Sequence, residues 1–348
     1  MFSRTCKNVF PVINVYLVIF AAYILFTGYK FFGIDRSIVE ALIIISCFIF
    51  FDRHCIFPLL LVLVVMAVHA LNGNHFYYYD LANIPLILLF TKKIAVNRTQ
   101  LNGIIFVQII ILIAFVSFNE IFGLYVDNMR NPGPFASSLH LSYFLICICF
   151  ALFASNLNTF YLANFLCILL AIMSASRAAI LFCYATYLIR LHRARKIFPF
   201  LYLILACVIY YYCGRRSLGL EAGNDDIRLM GYKNFFSSIS FDNLFFGLGR
   251  SEYGSVGIRV HGKENILITE SSLLMLIYTQ GVFLATFILL KLFNIINKIL
   301  SSIPDGYLLL PFWAALFLLV PFFDSPSISV INLLTIKCIE SAVYSNVK

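Results

Sequence analysis

Apolar runs long enough to cross a bilayer as α-helices, about 17 to 25 residues, recur along this chain from one end to the other. In lipid every backbone polar group has to be satisfied within its own segment, so such runs dictate a helical fold. Candidate spans fall near 9–28, 37–51, 56–72, 76–91, 103–123, 139–156, 159–176, 178–190, 197–213, 269–290, 306–323 and 325–341. Those at 37–51, 76–91, 178–190 and 325–341 are short or polar, so ten or eleven crossings also fit, with the last as a re-entrant or interfacial segment. Of the 348 residues, 62% are hydrophobic and only 12% charged, against roughly 25% charged in soluble globular proteins. No soluble core of this size absorbs that much apolar surface. The expectation is an all-α polytopic membrane protein, a single domain over 1–348 with about 12 transmembrane helices.

The net charge of +9 would suggest nucleic acid in a soluble protein, but no nucleic-acid motif accompanies it, and its distribution fits orientation in a bilayer. With the N-terminus in the cytoplasm, the short inside loops and ends hold fourteen Lys and Arg, among them Lys92, Lys93, Arg98, Arg193, Arg195 and Lys196. The short outside loops hold Lys30, Arg36, Arg130 and Arg177. Short cytoplasmic loops accumulate basic residues, so both termini are expected inside. The first residues resemble a signal peptide, but the apolar run is long and lacks a small-residue cleavage site, so it reads as the first span. Cys47, Cys147, Cys149, Cys167, Cys183 and Cys207 lie within apolar runs, where thiols behave as small hydrophobes, and no paired metal-ligand spacing appears. There is no convincing internal repeat and no inverted pair of Gly/Pro-broken helices of the transporter kind.

One long polar interval, Gly214 to Ile268, breaks this pattern and faces outward in the scheme above. Long loops translocate largely regardless of charge, so its seven Lys and Arg do not oppose the orientation. Its charges are mixed with apolar groups, as in Ile227 to Phe236 and Leu244 to Leu248, which favours a folded loop over a disordered tether. Ile227 to Phe236 reads as a short amphipathic helix. Tyr232, Phe235, Phe236 and Ile239 recur at helical spacing, and a face of this kind on the bilayer holds Arg228 at the depth of a lipid phosphate. The following Asn243-Leu244-Phe245-Phe246-Gly247-Leu248-Gly249 ends in glycines that permit a tight turn and close backbone approach.

Three outward polar clusters are candidates for chemistry. They are the Asp127 to Phe135 turn with Arg130, the break Ser174-Ala175-Ser176-Arg177, and the long loop with Arg215, Arg216, Arg228, Arg250, Arg259, His261 and Glu264, next to Glu270 at the mouth of the following span. Each also has a plainer reading: Arg177 snorkelling to headgroups, Arg130 pairing with Asp127, His261 simply solvated. Several arginines with few compensating acids suit a lipid-linked diphosphate, because guanidinium forks bind phosphate bidentately and stay charged.

Arg228, then Leu244 to Gly249, a polar segment with His261, and Glu270-Ser271-Ser272-Leu273-Leu274 leading to Gln280-Gly281 together resemble the outer-loop signature of the bacterial O-antigen polymerase and O-antigen ligase superfamily. The Arg130 to Phe135 turn and Ser174 to Arg177 are similar to two further features of that family, and the resemblance covers roughly residues 100 to 290. Ligases usually carry a His in the segment that here runs Glu264 to Ser272, whereas this chain has His261 slightly earlier, which favours polymerase.

The resemblance implies a periplasm-facing glycosyltransferase of the inner membrane. It would join undecaprenyl-diphosphate-linked repeat units without nucleotide sugar, cofactor or metal, alongside membrane lipids and a polysaccharide chain-length regulator. Such chemistry needs cations on the departing diphosphate and a base for the acceptor hydroxyl, with a carboxylate nearby to help an oxocarbenium-like transition state. On this reading Arg177 and Arg228 hold the diphosphate, Arg130 and Arg250 support it, Arg215 and Arg216 add binding charge, and Glu270 or His261 is the base. A transporter or flippase for lipid-linked glycans would instead place ionisable residues near the midplane of its spans. The candidates there, Glu40, His69 and Glu120, read as lying near span edges or alone.

Overall fold

The computed structural model describes residues 42–43, 45–75, 80–81, 83–91, 94–123, 138–155, 160–174, 176–193, 236–237, 240–249, 272–319 and 326–344. Among them the regular structure is helical, with no strand. The expected spans at 9–28 and 197–213, the Asp127 to Phe135 turn and nearly all of the amphipathic segment before Phe236 lie outside the described residues.

The main helices are α1 (Ile56–Leu71), α2 (Asn83–Thr91), α3 (Arg98–Phe122), α4 (Ser138–Ser155), α5 (Phe160–Met173), α6 (Arg177–Arg193), α7 (Phe241–Phe246), α8 (Ser272–Ser301), α9 (Leu310–Leu319) and α10 (Pro326–Tyr344). Among the described residues three stretches are long and apolar enough to cross a membrane: Arg53–Leu71, which adds a 3-10 turn to α1, then α3 and α8. Shorter apolar helices occupy His140–Ser155, Phe160–Met173 and Ala178–Leu191.

Helix ends follow local chemistry. At the start of α3, Asn97 Oδ1 accepts from the Gln100 backbone N–H at 2.8 Å, and Gln100 Oε1 accepts from the Asn97 N–H at 2.9 Å. This reciprocal cap satisfies two otherwise orphaned donors, and the helix stops at Gly123 in a left-handed conformation. Leu101, Ile105, Leu112 and Val116 of α3 are buried, while Phe106, Ile110, Phe118 and Phe122 are exposed. An exposed apolar face of this length has no place in water and suits lipid.

The core is centred on α4, whose residues Leu141 to Ala154 are buried on every side. A helix that is apolar all round has to be surrounded. Here α3, α5, α6 and α10 enclose it. Trp313 of α9 meets Phe150 of α4 and Phe182 of α6 edge-on, with ring centroids 5.1 and 5.4 Å apart. Cys47, Cys147, Cys149, Cys167 and Cys183 are buried and unbridged, as small hydrophobes are.

The helices also share their ends. Ser341 Oγ of α10 accepts from the Val96 N–H at 2.7 Å and donates to the Val96 carbonyl at 3.1 Å, just before α3. Lys337 Nζ lies 2.7 Å from Glu340, and Lys298 of α8 is 4.0 Å from the same carboxylate. Gln280 belongs to the opposite end. The rise along α8 from Gln280 to Lys298 is about 27 Å, close to the thickness of a bilayer core.

Within the expected 76–91 span the described residues form a 3-10 turn at Asp80 and Leu81 and then α2. The 269–290 span continues to Ser301, because Leu292, Ile295, Ile296, Ile299 and Leu300 keep a buried stripe running beneath Lys291 and Lys298.

Candidate functional site

Of the residues singled out for chemistry, Arg177 opens α6, in a helix start capped by Ser176, whose Oγ accepts from the Ala179 N–H at 3.2 Å. Arg130, Arg215, Arg216, Arg228, Arg250, His261 and Glu270 lie outside the described residues. What the structure does bring together is the two stretches Leu244 to Gly249 and Gln280-Gly281, which are thirty-odd residues apart in sequence.

Their meeting point is a break in α8. Gly281 has φ 73° and ψ 167°, a backbone conformation open essentially only to glycine, so the helix is interrupted there. A break inside an apolar helix frees carbonyls that must find other donors. The Leu248 N–H donates to the Tyr278 carbonyl at 2.8 Å, and the Gly249 N–H to the Thr279 carbonyl at 3.0 Å. The segment Leu244 to Gly249 thus supplies what the broken helix lost.

Contact is backbone to backbone. A Cβ on Gly281 would collide with the Phe245 carbonyl, and one on Gly247 would come within 2.5 Å of the Gln280 nitrogen and the Thr279 carbonyl carbon. Side chains add to the seat: the Phe245 ring rests 5.4 Å from that of Phe283 and 4.8 Å from that of Phe241.

Beside the seat is a buried polar network. His69, at the end of α1, has Nδ1 2.7 Å from Asp80 Oδ2 and Nε2 2.8 Å from the Phe246 carbonyl. Gln280 Nε2 donates to Asp80 Oδ1 at 2.8 Å, and Asn83 Nδ2 donates to Gln280 Oε1 at 2.7 Å. Asn74 Nδ2 donates to the Leu248 carbonyl at 2.9 Å. His69 and Asp80 are 1% and 0% exposed, so their charges and dipoles are compensated by one another rather than by water.

His69 lies near the end of its span, as expected, but it is not alone: its partner Asp80 lies across the turn that follows α1. Asp80 and Asn83 were not singled out from the sequence. A single acidic residue interrupting the polar 76–91 stretch, eleven positions from a histidine, was the available signal. Gln280 was marked only as a neighbour of Gly281.

Chemically, this arrangement is a set of paired donors and acceptors that joins α1, α2, α7 and α8 at one end of the bundle. Among the described residues no group of three or more His, Cys, Asp or Glu side chains is placed to hold a metal ion. No family model, curated protein or solved structure matches the chain.

Proposed function

We propose that this chain is an O-antigen polymerase of the inner membrane, a glycosyltransferase that joins undecaprenyl-diphosphate-linked repeat units at the periplasmic face. In this reading the chain crosses the bilayer about 12 times with both ends in the cytoplasm, and 214–268 is the periplasmic loop. The observation that carries it is the seating of Leu244 to Gly249 in the break at Gly281, because these are two separated parts of the resembled outer-loop signature. A catalytic loop over a lipid-linked donor needs a rigid attachment at the membrane surface, and this seat provides one.

The transferred glycan arrives already activated by its diphosphate. Arg228 and Arg177 hold the departing diphosphate as its charge grows, and Glu270 or His261 takes the proton of the acceptor hydroxyl. Arg130, Arg250, Arg215 and Arg216 add binding charge, and a chain-length regulator is the expected protein partner. Replacing Arg228 with Ala should slow polymerisation on the order of 10²-fold or more, since it removes a charge-assisted contact made in the transition state. Arg228→Lys should restore little, because an ammonium lacks the fork. Immunoblotting checks that the variants reach the membrane.

One observation bears on a second reading. The buried His69–Asp80 pair is an ionisable couple within the helical bundle, as in a transporter or flippase, but it sits at one end of the bundle rather than near the midplane. Deleting the gene and running surface lipopolysaccharide on gels separates the two. Loss of the ladder with one repeat unit retained supports polymerase. Loss of all repeats points to a flippase or ligase, and an unchanged profile removes the pathway assignment.

A further inference from the structure

The His69 hydrogen bonds fix more than geometry. A carbonyl only accepts, so the bond to Phe246 requires a proton on Nε2. Between Nδ1 and Asp80 Oδ2 there is then one shared proton, either donated by the ring to a carboxylate or by a carboxylic acid to the ring. Both arrangements are net neutral as a pair. The second carboxylate oxygen is engaged by Gln280, whose own carbonyl is engaged by Asn83. This chain of bonds therefore links α1 to the broken end of α8 and to the segment lying on it.

We propose that His69, clasped between Asp80 and the Phe246 carbonyl, is a positioning residue that keeps the outer-loop segment Leu244 to Gly249 seated in the break of α8. The clasp acts through hydrogen bonds rather than by moving a proton to substrate. Its place beside the proposed catalytic loop rests on the polymerase reading, but the clasp itself does not.

Two features make it specific. The His69 bond ends on the main chain, so it fixes the path of the segment whatever side chains the segment carries. Asn74 grips the next carbonyl but one, at Leu248, so the two side chains hold the same short stretch from the α1 side while the Tyr278 and Thr279 carbonyls hold it from the α8 side.

The shared-proton geometry gives a discriminating variant. In Asp80→Asn, the amide NH2 can donate to His69 Nδ1 while the amide oxygen accepts from Gln280, so all bonds of the clasp survive without any charge. In Asp80→Ala neither bond survives. A proton-moving role would be lost in both.

Hydrogen-exchange mass spectrometry of the full-length protein in lipid nanodiscs reads the clasp directly, because the Leu248 and Gly249 amides are bonded to α8. In His69→Ala and Asp80→Ala, exchange in the peptide covering 244–249 should rise about tenfold or more, while peptides of α4 stay protected. In Asp80→Asn that peptide should remain protected, and the polysaccharide ladder, run in parallel, should persist. The proposal is overturned if His69→Ala leaves exchange unchanged, or if Asp80→Asn exchanges like Asp80→Ala. Protected exchange with a lost ladder in Asp80→Asn would equally overturn it, in favour of a proton-moving pair. A parent strain whose ladder does not depend on this gene would sink the polymerase reading alone, since exchange is measured without reference to polysaccharide.

Discussion

The middle of the bundle and its loop-bearing end are built on opposite principles. Around α4 the packing is chiefly apolar, with Phe150, Phe182 and Trp313 filling space, and polar contacts such as Asn164 Nδ2 to Thr186 Oγ1 and Arg190 to the Phe153 carbonyl are set among it. The apolar part of such a region chiefly needs the right volume. At the end where α1, α2, α7 and α8 meet, position depends on glycines that let backbones touch and on His69, Asp80, Asn83 and Gln280, each bonded to particular atoms. The first region tolerates exchange of like for like. The second tolerates almost none.

Substitutions can break this contrast. The largest effect should come from Gly281→Ala, which combines a left-handed backbone with a Cβ set against the Phe245 carbonyl. It should cost about 4 kcal/mol or more, from strain and overpacking together, read as a fall in thermal stability of the purified protein. Asp80→Ala leaves the buried His69 and Gln280 without their partner and should cost about 3 kcal/mol in the same assay. Phe150→Leu keeps most of the volume and should cost about 1 to 1.5 kcal/mol. Leu63→Ala, on the exposed apolar face of α1, should stay within about 0.5 kcal/mol. If Phe150→Leu proved more damaging than Gly281→Ala, the contrast between the two regions would be wrong.

The same contrast explains what could be read from the sequence. The helices α1, α3, α4 and α5 were legible to within about five residues because unbroken apolar runs have a helix as their one structural outcome in lipid, although only the α1 stretch and α3 of these are long enough to cross a membrane. The continuation of α8 to Ser301 was hidden, since Lys291, Asn294, Asn297 and Lys298 interrupt the run while Ile295, Ile296 and Ile299 preserve its buried stripe. The glycines of Leu244 to Gly249 announced close backbone approach but not the object approached, because Tyr278 and Thr279 offer nothing but carbonyls. His69 looked isolated for the same reason. One of its partners is the main chain of Phe246, 177 positions away, and no pattern in side-chain identity reports such a bond.

The most direct measurement is reconstitution of the purified protein in vesicles with undecaprenyl-diphosphate-linked repeat unit as the sole substrate. Polymerase activity predicts carrier lipid bearing two, three and more repeat units, with one undecaprenyl diphosphate released per bond formed, and about 10²-fold less of both with Arg228→Ala. Single repeat units that cross the vesicle membrane unchanged, with no released diphosphate carrier, would contradict it.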